Sequence, residues 1–456
     1  MRMTTGVLRD VWNALGGPAA LAEDIEITGE GQFASRYRVA DLAGAAAASA
    51  ALSIAELLAA SKAPAASVRA NRRLASFWFT SSLRPEGWQR LPQWDPIAGD
   101  YAARDGWIRL HTNAPHHRAA AQRVLGDAAD KDAVARAVAQ WDKADLESAI
   151  VEAGGCAAEM RSTEEWAAHP QGLAVAGEPL VRAEFRDAER PSAWVPRPDR
   201  PLAGLRVLDL TRVLAGPVAS RFLAGYGAEV LRIDPPWWDE PAVIPEMTIG
   251  KRCARLDLRD AAGRAAFEAL LARTDILLHG YRPGALEGLG YDAERLQVLS
   301  RGLIDVALCA YGWTGQWAGR RGFDSLVQMS AGIAHGGMVW RQASEPVPLP
   351  VQALDHATGY LMAAATLRAV TRRMIGGGAT QARLSLARTA KFLTDLGEQP
   401  PGDAFPPETA ADLSPEVEHT DWGPARRLKP PVTVAGAPMR WDLPAQKLGS
   451  APPSWH

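Results

Sequence analysis

Cysteine is scarce in this sequence, and its few thiols lie far apart. The 456 residues include Cys156, Cys253 and Cys309, without a CxxC pair. An odd number of scattered cysteines excludes a disulfide framework, and no cysteine or histidine spacing fits a zinc site. We therefore expect reduced thiols in a cytoplasmic protein without a bound metal.

An excess of one charge and a long apolar run are also missing. Fifty lysines and arginines balance 52 aspartates and glutamates, giving a formal net charge of −2, so nothing global attracts nucleic acid or an anionic membrane. The least polar run, Ala43–Ala60, is mostly alanine and contains Glu56, whereas a membrane span needs about 20 strongly apolar residues. The N-terminus lacks the apolar core of a signal peptide. We expect a buried helix over residues 42–60, and neither a nucleic-acid nor a membrane partner.

Alternating strands and helices are present from residue 205 onward. Apolar strands separated by helical stretches are typical of βαβ units and a parallel sheet. The expected strands are Leu205–Leu210, Ala228–Ile233, Ile276–Leu278 and Leu303–Cys309. Before them we expect a strand at Trp107–His111 and helical stretches near 117–125 and 131–153.

A partial internal repeat connects the two halves. At a shift of 315 positions Gly44 falls on Gly359, and Arg73, Ala75 and Phe77 fall on Arg388, Ala390 and Phe392. Chance alanine matches are an alternative in an alanine-rich chain, but the constant offset favours a partial duplication.

Several residues are candidates for chemistry. The loop after the first βαβ strand has no GxGxxG, which disfavours a nicotinamide dehydrogenase, although Asp234 could accept a ribose hydroxyl. The basic cluster Lys251, Arg252, Arg255 and Arg259 suits a phosphate-bearing ligand or is a solvated strand edge. Asp355, between an apolar segment and a helix, either caps that helix or is a nucleophile or base in an apolar pocket.

Four stretches then resemble the class III CoA-transferase family, which includes formyl-CoA and carnitine CoA-transferases and the α-methylacyl-CoA racemases. The resemblance covers about residues 201–390, and a segment at about 95–171 is similar to the small domain of the family. The stretches are PLAGLRVLDLTRVLAGPVASRFLAGYGAEVLRID, GKRCARLDLRDAAGRAAFEALLARTDILLHGYRPGALEGLGYD, YGWTGQWAGRRGFDSLVQMSAGIA and DHATGYLMAAATLRAVTRRMIGGGATQARLSLA.

The resemblance implies an α/β fold, with a Rossmann-like parallel-sheet domain and a smaller α+β domain. It implies CoA transfer between an acyl-CoA and a carboxylic acid, with no tightly bound cofactor. Asp355 takes the nucleophile position of a D-x-x-x-G pattern and forms an aspartyl-CoA thioester, and Asp324 is a second catalytic acid. The implied coenzyme A contacts are Val213, Leu214, Ala215, Leu256, Arg259, Tyr281 and Arg321.

The order of the segments departs from that of the family, because the small-domain segment precedes the Rossmann-like half. We expect a fusion of two incomplete copies, which acts as a monomer or a homodimer. In the first copy, the position that corresponds to the nucleophile falls at Ala40 or Asp41. The expected divisions are a mainly helical partial copy (1–90), a small α+β domain (91–185), a linker (186–202), a Rossmann-like CoA-binding domain (203–395) and an extended return segment (396–456).

Other departures keep alternative functions open. Pro235 and Gly288 stand where the family has arginines, and Gly280 replaces an asparagine. Phe323 stands where the racemases have a histidine, which disfavours racemisation. The alternatives are a racemase- or isomerase-like acyl-CoA reaction with Asp355 as base, and a catalytically silent acyl-CoA-binding protein.

Overall fold

The N-terminal region combines helices with short strands. The computed structural model describes residues 2–62, 66–128, 130–186, 193–376 and 378–456, so part of the expected linker, residues 187–192, lies outside the described residues. The elements of this region are α1 (Arg2–Ala14), β1 (Glu26–Thr28), α2 (Val39–Ala60), β2 (Val68–Asn71), α3 (Arg72–Trp78) and β3 (Leu83–Pro85).

The next region has its own core, around a three-stranded antiparallel sheet in the order β4-β5-β6. The helical stretch expected near 131–153 is present as two helices. The chain turns between them and packs Trp141 against this core. The elements are β4 (Gly99–Ala103), β5 (Gly106–Leu110), α4 (Pro115–Leu125), α5 (Lys131–Val138), α6 (Lys143–Glu152), β6 (Ala157–Glu159), α7 (Thr163–Ala168), α8 (Pro170–Ala176) and β7 (Arg182–Arg186).

A seven-stranded sheet dominates the second half and confirms the α/β fold class. Its order is β10-β9-β8-β11-β12-β13-β7, with all pairs parallel except β13–β7. The elements are β8 (Arg206–Leu210), α9 (Ala215–Gly225), β9 (Glu229–Asp234), α10 (Ile244–Met247), β10 (Lys251–Arg255), α11 (Ala261–Leu271), β11 (Ile276–His279), α12 (Ala293–Leu299), β12 (Ile304–Cys309), α13 (Asp324–Ser330), α14 (Ile333–Arg341), α15 (Ala353–Gly376), β13 (Ala379–Ser385) and α16 (Leu386–Asp395).

Apolar clusters cover both faces of this sheet. Helices α9 and α15 contribute to the main core on one face, and Phe267 of α11 and Leu296 of α12 belong to a second cluster with Trp455. Numbered along the chain from β8, the six parallel strands have the doubly wound order 3-2-1-4-5-6. The order reverses between β8 and β11, which is the switch point of such a fold.

Helix α2 is long and apolar enough to cross a membrane by length and composition, but 94% of its most apolar window is buried inside the protein. It packs between α1 and α15, as expected for a core helix. Its glycine, Gly44, lies where a side chain would meet Thr4 of α1.

The repeat noted in the sequence coincides with a shared helix–strand–helix order. The segment α2–β2–α3 stands at about the 315-residue spacing from α15–β13–α16. Strand β2 pairs parallel with β1 and antiparallel with the tail strand β16 (Val432–Val434), just as β13 pairs parallel with β12 and antiparallel with β7. The return segment also contains β14 (Glu418–Thr420) and β15 (Gly423–Arg427), which pair with each other, and β15 pairs with β3 as well.

Candidate active site

A cavity of about 420 Å³, called the central cavity below, lies at the carboxyl ends of the parallel strands. The loops after β8, β9, β11 and β12 contribute to it, as expected where the strand order reverses. Its volume is in the range of small-molecule sites. Its lining includes Arg212, Val213, Ala215, Trp237, Trp238, Tyr281, Arg282, Cys309, Arg321, Phe323, Asp355 and, from α4 of the small domain, His116 and His117.

Asp355 lies in the first turn of α15 and is 8% exposed. Among the residues that the structure describes, it is the only carboxylate that lines the central cavity, and its side chain accepts no hydrogen bond from them. A helix N-terminus favours a negative charge in its first turn. The carboxylate is therefore available to a substrate.

The position four residues after Asp355 requires a glycine, which is Gly359. A side chain there would place its Cβ 2.3 Å from the carbonyl oxygen of Ala215. The glycine thus lets α15 contact the beginning of α9, which brings Asp355 beside the loop after β8.

Asp324, rather than Asp355, caps the beginning of α15. Its Oδ2 accepts the backbone N–H of Asp355 at 2.9 Å, and its Oδ1 accepts from Nε2 of Gln328. The Oε1 of Gln328 accepts the N–H of Leu349 at 2.6 Å. Because a backbone N–H can only donate, this contact fixes the orientation of the Gln328 amide. Both oxygens of Asp324 therefore act as acceptors, and Asp324 is held as a carboxylate.

The charge of Asp324 raises the proton affinity of Asp355. Burial raises the pKa of Asp324 to about 6, although Gln328 and the N–H groups of Asp355 and Leu354 oppose this rise. Burial and the charge of Asp324 hold the pKa of Asp355 well above its usual range. Two adjacent buried carboxyls titrate as a pair, so this pair holds a proton more tightly than an isolated exposed carboxyl does.

Three arginines bring positive charge to the central cavity, opposite in sign to the charge of the two carboxyl groups. Arg212, Arg282 and Arg321 line the central cavity, and within the described ranges no carboxylate forms an ion pair with any of them. Burial and the nearby charge of Arg321 lower the pKa of Arg282, which indicates that the two cations lie close together. Arginines without an acidic partner suit phosphate or carboxylate groups of a ligand.

The structure places most of the expected site residues together. Val213, Ala215, Tyr281, Arg321 and Asp355 line the central cavity, and Asp324 lies behind Asp355. The other three lie outside the lining. Leu214 is buried at the start of α9, Leu256 packs against the second core cluster, and Arg259 pairs with Asp257 and stacks on Trp237.

Protein partners occupy Asp234 and two residues of the basic cluster. Asp234 receives two hydrogen bonds from the buried Arg232, at 2.8 and 3.0 Å, so it is not available to a ribose hydroxyl. In the basic cluster, Lys251 is fully buried against Asp209, and Arg255 donates to backbone carbonyls. These side chains stabilise the fold.

The nucleophile slot of the first copy holds no second site of this kind. Asp41 accepts from Thr4 at 2.6 Å, from Arg72 at 2.8 Å and from Arg38 at 2.9 Å. Burial alone would raise the pKa of Asp41, but these three partners lower it. Its carboxylate is saturated, in contrast to that of Asp355.

The sequence did not reveal the residues that hold other site residues in place. Gln328 holds Asp324, and Glu240 holds the loop after β8. His111 stacks on Phe323 with ring centroids 3.7 Å apart, and Nε2 of His117 lies 3.6 Å from the thiol of Cys156. Only the position of Gln328, one helical turn after Asp324, gave a local signal.

Comparison with known proteins finds similarity to CoA-transferases. The sequence profile of CoA-transferase family III matches residues 202–397. An acetyl-coenzyme A transferase of Hypoxylon pulicicidum is 33% identical over 212 residues, which are 44% of this chain and 36% of that protein. An acyl-CoA transferase of Gibberella moniliformis is 28% identical over 371 residues, or 73% and 64%.

The match to these family III relatives is partial. The chain spans 36% and 64% of the length of the two proteins. The crystal structure of Rv3272 from M. tuberculosis has 30% identity and a TM-score of 0.39, with 44% of this chain and 59% of that chain covered.

Proposed function

We propose that this protein transfers coenzyme A between an acyl-CoA and a carboxylic acid, with Asp355 as the nucleophile. The observation that carries the proposal is the unpartnered carboxylate of Asp355, which faces the central cavity on the first turn of α15. The match of residues 202–397 to the profile of CoA-transferase family III supports it.

The proposed reaction alternates between an anhydride and a thioester. A carboxylate oxygen of Asp355 attacks the acyl carbonyl, the C–S bond breaks, and CoA leaves as the thiolate. The thiolate then attacks the Asp355 carbonyl of the mixed anhydride, which releases the donor acid and leaves an aspartyl-CoA thioester. The acceptor carboxylate takes up CoA by the same steps in reverse. Every covalent intermediate is an anhydride or a thioester, so little thioester energy is lost at each step.

Burial and the arginines fit this chemistry. A carboxylate is a weak nucleophile in water, and the burial of Asp355 removes much of its hydration. Asp355 must lose its proton before it attacks, and its raised pKa opposes this. We propose that Arg212, Arg282 and Arg321 bind the anionic substrates. Their positive charge would favour the ionised form of the carboxyl pair.

The racemase-like alternative has less support in the site. Phe323 occupies the position expected for a second acid or base, and it stacks on His111. His117 lines the central cavity, but burial lowers its pKa to about 3. A neutral imidazole of such low basicity is a poor proton acceptor.

The proposal is tested by incubating the protein with acyl-CoA donors and a panel of isotopically labelled carboxylic acids in D₂O. We expect labelled acyl-CoA with wild-type protein and none with Asp355→Asn. Deuterium at the α-carbon without label transfer would favour the racemase-like reaction. Coenzyme A binding without either product would favour a silent binding protein.

We also propose that the chain is a fusion of two partial family III copies. The support is the helix–strand–helix order at the 315-residue spacing and the reciprocal edge strands β7 and β16. A cavity lined by both the small domain and the parallel sheet would then form within one chain.

A further inference from the structure

One wall of the central cavity contains a residue in an unfavourable backbone conformation. Val213 has a φ of 64°, in the left-handed region that β-branched residues rarely adopt. Such conformations persist where the surroundings enforce them, and they concentrate at functional sites. Here the backbone N–H of Val213 donates to Oε2 of Glu240 at 2.9 Å.

Glu240 is itself fixed from two further directions. Its Oε2 also accepts from Nε1 of Trp238 at 3.0 Å, and its Oε1 pairs with Arg232. Arg232 is fully buried and is held by Asp234. The carboxylate therefore connects a rigid ion pair of the sheet to two surface loops.

The groups that Glu240 holds both line the central cavity. Val213 belongs to the loop after β8, and Trp238 belongs to the loop after β9. Between them, the guanidinium of Arg212 lies 4.8 Å from the ring of Trp238 and 5.6 Å from that of Tyr281. A substitution of Glu240 would remove the hydrogen bonds that hold the backbone of Val213 and the indole of Trp238. The guanidinium of Arg212, which lies against that indole, would then lose its position as well.

We propose that Glu240 is a positioning residue that holds Val213 and Trp238 so that the wall of the central cavity is formed before the CoA thioester binds. The inference rests on the proposed function. Preorganisation of this kind strengthens binding because the loops need not be ordered by the ligand. It acts on binding, since Glu240 does not belong to the cavity lining.

The test measures coenzyme A binding by titration calorimetry, and kcat and KM for an acyl-CoA donor. Glu240→Ala should raise the Kd for coenzyme A about tenfold or more, the size expected for loss of a hydrogen bond to a charged group. The kcat at saturation should change less than about threefold, because Asp355 is untouched. Glu240→Gln, which retains an acceptor for Val213, should lie between, and it carries the test if the alanine variant does not fold.

Two further variants separate positioning from other effects. Asp239→Asn removes a neighbouring exposed charge but keeps an oxygen that can accept the backbone N–H of Glu240, so it controls for general attraction of the anionic ligand and should leave Kd unchanged. A glycine at position 213, introduced by Val213→Gly, adopts a positive φ without strain. Glu240→Ala should therefore raise the Kd for coenzyme A by a smaller factor in that background. A Kd in Glu240→Ala equal to that of wild type, or an equal loss in both backgrounds, would overturn the inference. Failure of the wild-type protein to bind coenzyme A would instead overturn the proposed function, and the inference with it.

Discussion

At the scale of single residues, the site depends on two carboxyl groups that differ in their hydrogen bonding. Both oxygens of Asp324 accept hydrogen bonds, whereas the carboxylate of Asp355 faces the cavity. Asp41, the comparable acid of the proposed first copy, is neutralised by Arg38 and Arg72. The same residue type thus has saturated partners at one position and the proposed nucleophilic role at the other.

Asp355→Asn should stabilise the protein at neutral and higher pH. The pKa of each carboxyl of the pair is raised in the folded state, from 3.8 to about 6 for Asp324 and in the same direction for Asp355. The folded protein therefore binds more protons than the unfolded chain, and stability falls as pH rises above about 4. Urea unfolding at pH 8 should show a gain of about 1–3 kcal/mol, with little gain at pH 4.

Asp41→Asn is the control with the opposite sign. Its lowered pKa means that stability is lost as the pH falls, and removing a buried charge partner should destabilise the protein by about 3–5 kcal/mol at pH 8. A variant Asp355→Asn that is less stable than wild type at pH 8 would contradict the description of the pair.

Gln328→Leu should move the acid limb of the pH–rate profile to lower pH while reducing kcat. Loss of the Gln328 donor raises the pKa of Asp324, so less negative charge lies beside Asp355 at a given pH and the pKa of Asp355 falls. Gln297→Leu loses two comparable hydrogen bonds far from the pair and should not move the limb. An acid limb shifted upward in Gln328→Leu would contradict the assignment of the charge.

At the scale of elements, the contact between α9 and α15 brings the site together. Strands β8, β9, β11 and β12 could be predicted, because apolar strands alternate with helices along the sequence. The loops could not, since Glu240 and Val213 are joined by long-range contacts that leave no periodic pattern. The turn around Trp141 that divides the helical stretch at 131–153 could not be predicted either, because it is fixed by packing, which overrides local propensity.

Gly359→Ala should destabilise the protein by about 2–3 kcal/mol, the scale of overpacking in a core, and should reduce activity. The added methyl would lie 2.3 Å from the carbonyl oxygen of Ala215, so α9 and the loop after β8 must move. Gly376→Ala, in the same helix with nothing within 4 Å, is the matched control and should be neutral. Equal melting temperatures for the two variants would contradict the account of this crossing.

At the scale of the whole molecule, each half supplies an edge strand to the other. β7 follows the small domain and joins the sheet of the second half, while β16 comes from the tail and pairs with β2. The repeat could be predicted from Gly44, Gly359 and the Arg73 and Arg388 segments. The exchanged strands could not, because they are short and carry no repeat signal.

The proposed fusion predicts that one chain is sufficient for binding. Light scattering coupled to size-exclusion chromatography should give a mass near 48.9 kDa for protein that binds one coenzyme A per chain. A stable dimer that binds one coenzyme A per two chains would contradict a complete site within the chain.

The most direct measurement is intact mass spectrometry after incubation with a panel of acyl-CoAs, before and after hydroxylamine, on wild type and Asp355→Ala. We expect a CoA-sized covalent adduct on the wild-type protein that hydroxylamine removes, and no adduct on Asp355→Ala. An adduct of the same mass on Asp355→Ala, or wild-type turnover of acyl-CoA with no adduct from any donor, would contradict Asp355 as the nucleophile.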